Sequence, residues 1–135
     1  MLIMERDELI AKIISKYYAD RHQIQDWQKE NSTELKQYKN GVYSFFDASG
    51  NALYIGMVSN SETASLYARI HANGNAKHSI KKWYNEIAKV FFYQMSACEK
   101  GSIMILERIL IRELKPLYND LDFDEDEINV VLENM

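Results

Sequence analysis

The sixteen residues GVYSFFDASGNALYIG, from Gly41 to Gly56, restrict the fold more than any other stretch of this chain. Two apolar and aromatic runs, Gly41–Phe46 and Ala52–Met57, flank the turn-forming cluster Asp47-Ala48-Ser49-Gly50-Asn51, the pattern of a β-hairpin. A turn centred on Ser49-Gly50 sets Phe45 opposite Tyr54 and Tyr43 opposite Gly56. Side chains alternate along a strand, so Tyr43, Phe45, Tyr54 and Gly56 share one face and Val42, Ser44, Phe46, Leu53 and Ile55 the other. Two tyrosines then project from one side, and a bare glycine leaves room beside Tyr43.

The rest of the chain supplies elements to pack on this hairpin. From Leu2 to about Trp27, Ile3, Ile10, Ile13, Ile14, Tyr17, Ile24 and Trp27 recur at helical spacing and predict a helix against the core. Glu30-Asn31-Ser32-Thr33 reads as a break. Beyond the hairpin, Ser59 and Glu62 have capping-box spacing and open a helix carrying Leu66, Arg69 and Ile70 that stops at Asn73-Gly74. A further helix is expected from about His78 to Ala88, with Ile80, Trp83, Tyr84 and Ile87 on its buried side. Val90–Met95 is the third strand, and a last helix runs from Gly101-Ser102 to just before Pro116. The expected fold is α+β, a small three-stranded antiparallel sheet flanked by helices with an extra N-terminal helix. It divides into a helical extension (1–35), a central domain (36–119) and an acidic tail (120–135).

Glu107 stands out on helical geometry. It falls inside the apolar stripe of Ile103, Leu106, Leu110, Ile111 and Leu114, with Arg108, Arg112 and Lys115 on the opposite side. A carboxylate there is costly unless it is paired, protonated or coordinating a cation. A buried salt bridge to Arg69 and a metal ligand are the two readings.

Charge is unevenly spread. The net charge of −4 divides into −2 over residues 1–35, +5 over 36–119 and −7 over 120–135, so the hairpin segment is basic, as a phosphate-binding surface should be. The single cysteine, Cys98, excludes an intrachain disulfide, and no Cys/His cluster has zinc spacing. Met1-Leu2-Ile3-Met4 runs straight into Glu5, Arg6, Asp7 and Glu8, and no apolar run reaches the roughly 18 residues of a membrane span. The expectation is a cytoplasmic protein with no membrane partner.

Gly41-Val42-Tyr43, followed after ten residues by Tyr54-Ile55-Gly56, resembles the paired signature of the GIY-YIG nuclease family, with Val in place of the first Ile. Arg69, Glu107 and the run Pro116-Leu117-Tyr118-Asn119 continue the resemblance in order, over roughly Lys39 to Asn119. The resemblance implies a divalent-metal-dependent endonuclease that hydrolyses DNA phosphodiesters with one metal ion, Mg2+ or Mn2+. Glu107 would be the metal ligand, Tyr43 would help activate water, Tyr54 would lie by the same phosphate, and Arg69 would stabilise transition-state charge through its planar fork. One carboxylate suits magnesium or manganese held mainly through water and substrate phosphate. The thirteen residues from Gly56 to Arg69 are a longer connection than is usual in the family.

His78 is expected as a phosphate contact or proton shuttle, Lys77, Lys81 and Lys82 as nucleic-acid backbone contacts, and His71 as a surface residue. Asn119 either fixes local backbone or reaches phosphate. Tyr93 and Tyr118 read as aromatics packing on a sheet face. The acids from Asp120 to Glu127 read as a solvated terminus, with shielding of the basic face as the sharper alternative. No separate DNA-recognition module is visible, so specificity would come from the N-terminal helix, a protein partner or a homodimer. The competing reading is a catalytically inactive nucleic-acid-binding or protein-interaction module on the same scaffold.

Overall fold

The hairpin forms in the expected register. In the computed structural model, which describes residues 3–29, 33–59, 65–72, 77–96 and 100–119, β2 (Gly41–Phe46) and β3 (Ala52–Val58) pair antiparallel with Tyr43 opposite Gly56 and Phe45 opposite Tyr54. Asp47 holds the turn, its carboxylate accepting from the backbone N–H of Ser49 at 2.9 Å and of Asn51 at 2.8 Å. Gly50 takes φ +87°, a left-handed conformation open to glycine. The register slips between Phe45 and Phe46, where Phe46 faces Ala52. Leu53 is corrected accordingly, since it packs with the cluster on the Tyr43 face.

The sheet has four antiparallel strands in the order β1-β4-β2-β3, which corrects the expected three. The added strand, β1 (His22–Ile24), pairs with β4 (Lys89–Gln94). Helix α1 (Ile3–Asp20) therefore ends well before Trp27, with the Arg21 N–H bonded to the Tyr17 carbonyl at 3.0 Å. Ile24 and Trp27 keep a helical spacing to Tyr17 but lie on the opposite face of the sheet, so tertiary pairing overrides the local period. The helix expected from His78 to Ala88 is corrected too. That stretch is two short 3-10 turns, His78–Ile80 and Lys82–Glu86, with Ile80 exposed. The Arg69 segment is a single π-helical turn, Ala68–Ala72. The proposed cap residue Glu62 and the stop at Asn73-Gly74 lie outside the described residues, as do Cys98 and the acidic tail 120–135.

Two layers cover the sheet. α1 and α2 (Lys100–Leu114) lie on one face, burying Tyr17, Val42, Ile55, Ile103, Leu106 and Leu110 together. The hydroxyls of Tyr17 and Ser44 hydrogen-bond within that layer. On the other face the irregular turns enclose Tyr43, Phe45, Val58, Leu66, Ile70, Ile87, Val90 and Phe92. Gly41 is bare because a Cβ there would strike the Tyr93 carbonyl of neighbouring β4. α2 closes at Lys115, which takes φ +47° before Pro116. The chain then runs along the free edge of β3, where the N–H of Leu117 reaches the Ala52 carbonyl at 3.1 Å and that of Tyr118 the Leu53 carbonyl at 2.9 Å.

Candidate active site

Five elements meet at a cleft of about 300 Å³ lined by Tyr43, Tyr54, Gly56, Met57, Arg69, His78 and Glu107. β2 supplies Tyr43, β3 supplies Tyr54 and Gly56, the π turn supplies Arg69, the first 3-10 turn supplies His78 and α2 supplies Glu107. Residues spread over more than sixty positions thus share one opening. Gly56 makes the arrangement possible, because any Cβ there would collide with the Tyr43 ring and hydroxyl. Tyr43 lies over this gap, its ring stacked near that of Tyr54 at 6.1 Å.

Tyr43 is held from behind. Its hydroxyl is 2.7 Å from His78 Nε2, in a hydrogen bond whose direction depends on the imidazole tautomer. His78 is only 6% exposed, and its Nδ1 is buried with no partner. Burial lowers the His78 pKa to about 4, with Lys81 and Arg69 adding to the shift, so the ring is neutral at pH 7. Burial also raises the Tyr43 phenol well above its ordinary value; Tyr54 and Glu107 push the same way and Arg69 pulls back. Tyr54 is raised by burial and by Glu107. The pair is therefore a neutral phenol on a neutral imidazole.

Glu107 is pushed up to about 7, chiefly by burial, against the opposing pull of Arg108 and Arg69. Arg69 acts on it across the cleft without a direct ion pair, so the salt-bridge reading of Glu107 does not hold in this structure. A carboxyl left half-charged by burial, open to a cleft and unpaired with Arg69, fits a bound divalent cation, whose charge would restore the ionised form. Among the described residues no group of three His, Cys, Asp or Glu side chains could cage a metal. Water and a substrate phosphate would therefore complete the shell, as magnesium and manganese allow.

Other expected residues sit elsewhere. Asn119 does not line the cleft: its amide accepts from the Ile55 N–H at 2.7 Å and donates to the Ile55 carbonyl at 2.8 Å, pairing with β3 as a strand would. Of its two readings, backbone fixing is the one observed. Lys77 is half-buried and Lys81 and Lys82 are exposed on the segment that carries His78. His71 is half-buried rather than on the surface, its Nε2 2.8 Å from the Trp27 carbonyl. Tyr118 stacks on Trp83 at the sheet edge instead of packing on a sheet face. Sequence reasoning missed Met57 as a cleft wall and Trp83 as the ring stacked on Tyr54. The only signal for Trp83 was the run of two basic then two aromatic residues in Lys81-Lys82-Trp83-Tyr84. A separate apolar cavity of about 180 Å³ between α1, β4 and α2, with Lys16 and Ser102 at its wall, brings together no acid–base set.

The chain is similar to UvrABC system protein C of Campylobacter jejuni subsp. jejuni, 33% identical over 105 residues that cover 72% of this chain and 17% of that protein. The same protein of Campylobacter jejuni subsp. doylei is 32% identical over 99 residues, 68% of this chain and 16% of that protein. The chain thus spans about a sixth of the length of the curated relatives it matches. No family model matches the chain, and no solved structure does.

Proposed function

We propose that the chain is a GIY-YIG-type endonuclease that hydrolyses DNA phosphodiesters at this cleft with one divalent cation, Mg2+ or Mn2+, held by Glu107. The observation that carries the reading is the convergence of Tyr43, Tyr54, Arg69, His78 and Glu107 on one opening, since the fold itself requires neither a guanidinium nor a half-buried carboxyl there. The similarity to UvrABC system protein C covers most of the same chain.

Arg69 grips two oxygens of the scissile phosphate and meets the charge that grows on them. The cation supplies further neutralisation of the phosphate when bound. The Tyr43 oxygen takes a proton from the attacking water while the phenol passes its own proton to His78 Nε2, a step that requires the tautomer with its hydrogen on Nδ1. A neutral His78 is needed for that step, and burial keeps it neutral. Tyr54 walls the phosphate on the far side of Tyr43, Asn119 holds the β3 backbone beneath Tyr54, and Lys77, Lys81 and Lys82 contact flanking phosphates.

Plasmid nicking tests the proposal. Wild-type protein is expected to nick supercoiled DNA with Mg2+ or Mn2+, to stop with a chelator, and to be inactivated by Glu107→Ala. No cutting of linear, branched or single-stranded DNA under either metal would leave the scaffold as a binding module.

A further inference from the structure

A file of parallel rings leads out of the cleft. Tyr54, which lines it, stacks on Trp83 with centroids 5.6 Å apart and planes 18° apart, and Trp83 stacks on Tyr118 at 5.2 Å and 8°. Most other ring pairs in this molecule are tilted or edge-on, the usual preference of packed aromatics. Tyr54 and Trp83 are half-buried against the core, so ordinary packing accounts for them. Among the described residues it does not account for Tyr118, which is 39% exposed, belongs to no buried cluster and ends the file. Its hydroxyl donates to the Glu86 carboxylate, which fixes the ring. The exposed Lys81 and Lys82 precede Trp83 directly in the chain.

We infer that this file is a stacking platform for an unpaired DNA base next to the phosphate in the cleft, with Tyr118 presenting its outer face to that base. The inference rests on the phosphodiesterase reading only for the location of the phosphate. A flat aromatic surface takes any base by its π-face, whereas a base inside an intact duplex has no free face to offer. The platform therefore selects DNA with a bulged, displaced or single-stranded base beside the cut site. A peptide ligand would fit the apolar rings but would leave the two lysines without anionic partners.

The test uses the 135-residue chain carrying Glu107→Gln, which is expected to bind without cutting, and DNA duplexes containing 2-aminopurine either paired or in a one-base bulge. Binding is expected to quench the bulged probe at least about twofold and to leave the paired probe unchanged, as stacking on an aromatic ring requires. Adding Tyr118→Ala should abolish the quench and lower the preference for bulged over paired DNA by roughly five- to a hundredfold, while Tyr118→Phe retains both. Because Tyr118 is exposed, the alanine variant is expected to fold, and a thermal melt checks this. An unquenched bulged probe on wild-type-like binding, or a preference that survives Tyr118→Ala, overturns the inference. Cutting by the unmutated protein is scored separately: cutting without quenching removes the platform and leaves the nuclease, and quenching without cutting does the reverse.

Discussion

Glu107 and His78 titrate in opposite directions inside one cleft, and the signs give a test of burial at each residue. Glu107 is pushed up to about 7 in the folded protein from an ordinary value of 4.5. Folding thus favours its protonated form, a contribution present below about pH 4.5 and lost as pH rises through 7. His78 is lowered to about 4 from 6.5, so folding favours its neutral form, a contribution present above pH 6.5 and lost as pH falls through 4. The two oppose each other between pH 4.5 and 6.5, and the wild-type melting temperature should vary little there. Glu107→Gln removes the first effect. It is expected to be more stable than wild type at pH 8 by roughly 1–2 kcal/mol, after discounting for solvent screening, and to lose stability steeply below pH 6.5. Thermal melts from pH 4 to 8 check both, and a variant no more stable at pH 8 would show that Glu107 carries no burial cost. If the proposed reading holds, replacing Arg69 should separate binding from chemistry. Arg69→Lys keeps the charge and loses the fork, so cutting should fall roughly a hundredfold while DNA affinity, measured by anisotropy, changes little.

At the level of elements, the site depends on two contacts to β3. Gly56→Ala would push the Tyr43 phenol off His78. Overpacking of that kind costs roughly 1–3 kcal/mol, and displacement of a reacting group by about 1 Å costs on the order of a hundredfold in rate. Melts and cutting assays should show a folded, nearly inactive protein. Asn119→Ala removes both amide bonds to Ile55 and should destabilise the fold by about 1–3 kcal/mol, loosening the Leu117–Asn119 segment; hydrogen exchange at Ile55 reads this directly. The hairpin that carries these contacts was legible in sequence because the turn cluster between two apolar runs sets the register as far as the bulge at Phe46, and the Glu107 helix because its apolar stripe is continuous. β1 was not legible, since three residues in a helix-spaced run give no strand period and only pairing with β4 makes them a strand. The two 3-10 turns escaped for the same reason: Trp83, Tyr84 and Ile87 fit a helical face, but Lys81 and Ile87 take extended backbone and break the helix on either side.

Across the whole molecule, five of the six residues expected to carry chemistry meet in one cleft, although no period or spacing in the sequence placed Arg69 or His78 there. Both ride on irregular turns, so the resemblance to a nuclease family, rather than local pattern, singled them out. Asn119 was read from the same resemblance and supports the site through β3 instead of lining it. The basic balance of residues 36–119 agrees with a surface that meets phosphate. The most direct test of the central claim is the single-turnover rate at which supercoiled plasmid is nicked in Mn2+ by wild type and by Glu107→Gln, the isosteric change that leaves the cleft filled. The account predicts a loss of about a thousandfold or more, on the order of 4 kcal/mol of transition-state stabilisation, in a protein that melts no lower than wild type at pH 8. Cutting by Glu107→Gln within about tenfold of the wild-type rate would contradict it.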